Sequence, residues 1–113
     1  MKVAIVGSRD FPQWYKVWEF VTYLPPDTVV VSGGAGGVDT SAVEAATACG
    51  LKVEVYRADW KRYGLSAGFK RNQQIVDAAD SVVAFWDGVS RGTADTLDKA
   101  ARARKPIRVI RSD

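Results

Sequence analysis

The sequence predicts an α/β fold, a Rossmann-like three-layer sandwich on a five-stranded parallel sheet. Short β-branched runs alternate with stretches of helical period along the whole chain, the signature of successive strand–helix–strand units. Glycine and serine concentrate where strands hand over to helices, at Gly7-Ser8, Gly33 to Gly37 and Gly88 to Gly92. The chain has 113 residues, enough for one domain around one ordinary core.

Taken in order, Lys2 to Val6 is the first strand. Asp10 is placed to cap a first helix with Pro12 in its opening turn, where the missing N–H costs nothing. In that helix Trp14, Val17, Trp18, Val21 and Leu24 share one face, and Pro25-Pro26 ends it. Tyr15, Phe20 and Tyr23 spread onto a second face, which suggests a homodimer or larger homo-oligomer. Thr28 to Ser32 is the second strand, and Val38 to Cys49 the second helix, closed by Gly50. Cys49 continues a face with Ala42, Ala45 and Ala46 and is expected to be buried.

Lys52 to Arg57 makes a third strand, and Ala58 to Gly68 is the longest loop. A third helix over about Phe69 to Ala79, a strand from Ser81 to Trp86, a fourth helix from Thr93 to Arg104 and a strand from Ile107 to Ile110 complete the pattern. Right-handed crossovers leave few topologies for such a chain. Ligands in these folds sit beyond the carboxyl ends of the strands.

Composition removes several classes of chemistry. Histidine is absent, which excludes histidine-dependent triads, histidine-ligated metals and imidazole bases. A single cysteine permits neither an internal disulfide nor a cysteine-built zinc site, and no cofactor or metal is implied. No apolar run approaches the roughly 20 residues of a membrane span. The first strand is too short, and too soon followed by Ser8-Arg9-Asp10, to act as a signal peptide; a cytoplasmic location without membrane contact is expected. Six of the sixteen basic residues fall between Lys99 and Arg111 with no acid among them, leaving ten against thirteen acids elsewhere. That segment is either a solvated helix end and edge strand or a basic face for nucleic acid.

The strand-to-helix segments hold the functional candidates. Four glycines lie within Gly33-Gly34-Ala35-Gly36-Gly37, more than a tight turn needs. A loop without Cβ atoms lets backbone N–H groups converge on an anion at a helix N-terminus. It is not a Walker loop, because no Gly-Lys-Ser/Thr follows. Asp39, in the first helical turn, either compensates the helix dipole or meets a ribose hydroxyl. In Ala67-Gly68-Phe69-Lys70-Arg71-Asn72, Arg71 suits a phosphate and Asn72 a sugar or base. Gly92-Thr93 offers a second anion pocket or, for Thr93, an N-cap.

Together these segments resemble the SLOG superfamily, the Rossmann-like group that includes the LOG and DprA proteins, and most closely its small YspA/YpsA-related branch. The resemblance rests on Val6-Gly7-Ser8-Arg9, Ser32 to Asp39, Gly68 with Arg71-Asn72, Ala79-Asp80 before Val82 to Trp86, and Gly92-Thr93. It implies a single SLOG-like nucleotide-binding domain over residues 1–113, with strand order 3-2-1-4-5 and a crevice between strands one and four. Its ligand would be a nucleotide or a nucleotide-derived small molecule. The expected ligand-binding residues are Gly7, Ser8, Arg9, Ser32, Gly33, Gly34, Ala35, Gly36, Gly37, Asp39, Arg71, Asn72, Trp86, Asp87, Gly92 and Thr93, with Trp86 either stacking on a base or serving the core. The LOG enzymes also imply an N-glycosidic phosphoribohydrolase, with Arg71 and Asp95 as its catalytic pair. The sequence departs from them in offering Asp95 where they carry glutamate. The DprA likeness implies nucleic acid on the basic C-terminal region.

Overall fold

The computed structural model describes residues 1–112. The elements run β1 (Lys2–Gly7), α1 (Trp14–Thr22), β2 (Val29–Ser32), α2 (Val38–Ala48), β3 (Lys52–Val55), α3 (Trp60–Tyr63), α4 (Ala67–Ala78), β4 (Ser81–Trp86), α5 (Arg91–Arg102) and β5 (Ile107–Arg111). The five strands form one parallel sheet in the order β3-β2-β1-β4-β5, as expected. Strand order reverses at β1, so the carboxyl ends of β1 and β4 border the crevice where such folds take ligands.

Alternation along the strands builds two cores. Val3 and Ile5 of β1 and Val83 and Phe85 of β4 face α1 and α2, where they meet Val17, Val21, Ala42, Ala45 and Ala46. Ala4, Val6, Val82 and Ala84 face the other way, onto Ile75, Val76 and Ala79 from the α4 side and Ala100 of α5. Phe85 anchors the first layer, edge-on to Phe11 at 5.7 Å and to Phe20 at 5.9 Å between ring centroids. No helix among the described residues is long and apolar enough to cross a membrane.

Several expectations are corrected. Helix α1 begins at Trp14 rather than near Asp10; its N-cap is Gln13, without a side-chain capping bond. Pro12 therefore lies outside the helix. Trp14, the first helical residue, is exposed and lies edge-on to Tyr15 rather than in the core. Phe11 fills the core position instead, and Phe20 also turns inward, leaving Tyr15 and Tyr23 exposed. Cys49 is exposed because α2 stops one residue earlier and Cys49 is its C-cap. Gly50 follows with φ +73°, and the Leu51 N–H bonds the Ala46 carbonyl at 2.9 Å, so Leu51 seals the helix end.

The segment from Ala58 to Gly68 is not a plain loop. The Asp59 carboxylate accepts the Arg62 N–H at 3.2 Å and caps the four-residue helix α3, after which a 3-10 turn leads into α4. Helix α5 starts two residues before Thr93, with Ser90 at its N-cap.

Three of the six C-terminal cations are engaged locally by acids or carbonyls. Lys99 pairs with Asp95 at 2.6 Å and Arg102 with Asp98 at 3.1 Å. The Lys105 ammonium donates to the carbonyls of Val76 and Ala79, each at 2.6 Å, closing the end of α4. Arg108 lies over Phe20 and Arg111 over Trp86. Of the basic stretch that stands out in the sequence, Lys99, Arg102 and Lys105 are thus engaged by acids or carbonyls, while Arg108 and Arg111 rest on aromatic rings with their charges retained.

Candidate functional site

A cleft of about 180 Å³ opens at the carboxyl ends of β1 and β4. Gly7 and Arg9 come from the end of β1, Ala35, Gly36 and Asp39 from the glycine loop and α2, Arg71 and Asn72 from α4, and Gly92 and Thr93 from α5. Val6 and Ile75 supply apolar wall, and Ser90 and Thr96 add hydroxyls. These last four were not singled out as site residues. Thr96 had a usable signal, since it follows Thr93 by three positions on one helix face.

The glycines divide by task. Gly34 and Gly37 have φ of +67° and +66°. A Cβ at Gly37 would also collide with the Arg9 carbonyl oxygen. Gly33 leaves room for Arg71, whose Nη1 would lie 2.7 Å from a Cβ there and donates to the Gly33 carbonyl at 2.7 Å. At Gly7 a Cβ would meet the Phe85 carbonyl oxygen. Gly36 alone in the loop answers no such demand: its φ is not positive, and a Cβ would come no closer than 3.7 Å to Arg9. Gly36 is the one glycine of this loop that lines the cleft.

Part of the loop is satisfied from within. The Gly34 N–H donates to Ser32 Oγ at 3.3 Å, and the Ala35 N–H to Asp39 Oδ2 at 3.1 Å. The N–H groups of Gly36 and Gly37, and those of Gly92 and Thr93 in the first turn of α5, have no protein acceptor among the described residues. Two helix N-termini, those of α2 and α5, therefore bring unpaired N–H groups and their positive dipole ends to one cleft.

Arg71 and Asn72 join the two sides. Arg71 Nε donates to Asn72 Oδ1 at 3.0 Å, and Asn72 Nδ2 donates to Asp95 Oδ2 at 3.0 Å and to the Gly92 carbonyl at 3.3 Å. The buried Asn72 so ties the glycine-loop side to α5. Asp95 is held by both Asn72 and Lys99 and does not line the cleft.

Other expected site residues act as supports. Ser8 is buried; its N–H bonds the Phe85 carbonyl, and its Oγ accepts the Asp87 N–H at 3.0 Å. Asp87 Oδ1 accepts the N–H groups of Val89 and Ser90, both at 2.8 Å, and so shapes the turn before α5. Those bonds hold the Asp87 carboxyl below its ordinary range. Trp86 donates from Nε1 to the Ser90 carbonyl at 3.1 Å and lies outside the cleft lining, as do Ser32, Gly33, Gly34 and Gly37.

Asp39 is the one carboxylate among the lining residues. Burial pushes its carboxyl above the ordinary value, opposed by the Ala35 N–H and the charge of Arg71. The native state therefore holds this proton more tightly than the unfolded chain. The Asp39 contribution to stability should fall as pH rises from about 4 through the raised native value. Asp87 has the opposite sign, its contribution being lost as pH drops below that point. Urea midpoints measured from pH 4 to 7 should decline less in Asp39→Asn than in the native chain. Equal slopes would remove Asp39 as the source.

The profile of the YspA, cpYpsA-related SLOG family matches residues 1–63 of the chain. The chain belongs to this SLOG family. The Gene 61 protein of Mycobacterium phage D29 is 37% identical over 116 residues, spanning 94% of this chain and 93% of the phage protein. Among solved structures, the SLOG chain superposes on DNA processing protein A (DprA) from Streptococcus pneumoniae with a TM-score of 0.86 and 24% identity over 99% of its length. It superposes on DNA processing protein A from Helicobacter pylori, whose structure concerns a single-stranded DNA binding mode, with a TM-score of 0.71 and 24% identity over 96% of its length. These likenesses show a shared fold. The SLOG chain spans 50% of the first DNA processing protein and 64% of the second.

Proposed function

We propose that this SLOG chain binds a nucleotide or nucleotide-derived ligand, with a phosphate seated between the glycine loop and the first turn of α5. The observation that carries the reading is the presence, in the lining of one cleft, of the unpaired N–H groups of Gly36, Gly92 and Thr93 at two helix N-termini, with the Arg71 guanidinium alongside. Arg9 adds a second cation at the rim. Asp39 Oδ1 and the Thr93 and Thr96 hydroxyls supply groups for sugar hydroxyls.

Size narrows the ligand. A cleft of about 180 Å³ is small beside the roughly 300–1,000 Å³ of typical small-molecule sites. It suits a phosphate and its sugar, with the base directed outward. The carboxylate that the hydrolytic alternative calls on, Asp95, is engaged by Lys99 and Asn72 and lies outside the cleft lining. Binding without cleavage is the reading these contacts favour.

Calorimetric titration with nucleoside mono- and diphosphates, cyclic nucleotides and ADP-ribose tests it. Saturable binding at one site per chain, competed by inorganic phosphate, is expected. Absence of binding by every class would overturn the proposal.

A further inference from the structure

A second cavity, of about 310 Å³, adjoins the cleft on the far side of Arg71, which lines both. Arg57, Arg62 and Lys70 share its wall with Arg71, together with Tyr63 and a single acid, Asp59. The Asp59 carboxylate is already occupied in capping α3. Neither Arg62 nor Lys70 has an ion pair or side-chain hydrogen bond among the described residues. Both instead rest on Tyr63, with Arg62 5.2 Å and Lys70 4.8 Å from the ring centroid. A cation–π contact positions a charge without neutralising it.

Four cations around one cavity repel one another, and Asp59 cannot offset them all. A dispersed solvated surface would have relaxed this by spacing or pairing the charges. An anionic ligand group relieves it directly. We infer that the cavity walled by Arg57, Arg62 and Lys70 is a second phosphate subsite, taking a phosphoryl group one ribose away from the phosphate held in the cleft. The inference rests on the nucleotide reading of the cleft and extends it to ligands with two separated phosphates. Arg57 braces the wall between the two sites by donating from Nη1 to the Gly34 carbonyl at 3.1 Å. Its guanidinium retains donors for a phosphate.

Two sources offer this chemistry: a free nucleoside 3′,5′-bisphosphate, or the internal phosphodiester of a single strand. Trp60, 59% exposed and next in the chain to Asp59 of the cavity wall, supplies a face on which a further base of a strand could stack.

The test compares AMP, adenosine 3′,5′-bisphosphate, pTpT and longer oligothymidylates by calorimetry, on the native chain and on the R62A/K70A variant. Both substituted residues are exposed, and a thermal unfolding scan checks that the variant folds. In the native chain the second phosphate should tighten binding tenfold or more over AMP. In the variant that gain should vanish while AMP affinity stays the same. A gain complete with the bisphosphate identifies a free nucleotide; a gain that appears with pTpT and grows with length identifies a strand. Equal affinity for one and two phosphates, or an undiminished gain in the variant, overturns the second subsite alone. No binding of AMP or any other probe overturns the reading of the cleft, and the subsite with it.

Discussion

Gly37→Ala is expected to lower the unfolding midpoint by about 10–20 °C, while Gly36→Ala leaves it within about 3 °C yet weakens nucleotide binding at least about tenfold. The two residues are chain neighbours, so composition alone cannot separate them. Gly37 sits at φ +66° and ψ −121°, a region closed to side chains, and a Cβ there would strike the Arg9 carbonyl oxygen. Backbone strain of about 1–3 kcal/mol together with that collision makes a loss of about 3 kcal/mol or more the reasonable scale. At Gly36 the added methyl meets only Arg9 side-chain atoms, from 3.7 Å outward, an ordinary contact. Alanine also reduces the entropy of the unfolded chain, which offsets any small native cost. The methyl does stand at the wall of the cleft, beside the N–H groups that would meet a phosphate. Urea and thermal unfolding, paired with calorimetric titration of each variant, check both halves. Equal binding by Gly36→Ala and the native chain would show that the loop's N–H groups are not the cradle.

The same pair shows what was legible in the sequence. The excess of glycine over the needs of a turn was visible, and so was its placement after a strand and before a helix. Which glycine served which task was not, because that depends on Arg9 and Arg71, distant in the chain, arriving beside the loop. The helices on both faces of a parallel sheet followed from the alternation of strands and helices, a local property, whereas the strand order came from the family resemblance. Trp14 and Cys49 were misplaced for a shared reason: helical periodicity assigns a face but not the point where the helix ends or where the sheet stops beneath it. Asp95 illustrates a third kind of limit. A carboxylate near the Gly-Thr turn is visible in the sequence, but its capture by Lys99 and Asn72 is a property of packing between α4 and α5. Charge is read incompletely in the same way: in the Lys99 to Arg111 stretch Lys99, Arg102 and Lys105 are engaged, whereas Arg57, Arg62, Lys70 and Arg71 are scattered in sequence and gathered by the fold.

Arg71→Ala should reduce nucleotide affinity by about 10- to 100-fold, the scale of one lost charge-assisted contact of about 1.5–3 kcal/mol. Arg71→Lys should recover little of it. Lysine keeps the charge but not the planar fork that reaches the Gly33 carbonyl and Asn72 Oδ1 together, at 2.7 and 3.0 Å. Removing the guanidinium leaves Gly33 and Asn72 without these donors, an expected cost of about 1 kcal/mol in stability. A second consequence separates Arg71 from a purely structural brace. Its charge pulls the Asp39 carboxyl down against burial, so its loss should raise that carboxyl further. The decline of stability with rising pH should then extend to higher pH in Arg71→Ala than in the native chain, and Arg71→Lys should restore the native profile in part. Calorimetry and pH-dependent urea unfolding on the same three proteins read both effects. Undiminished nucleotide affinity in Arg71→Ala would move the phosphate away from this cleft. An unshifted pH profile would place Arg71 too far from Asp39 for the charge coupling that the arrangement implies.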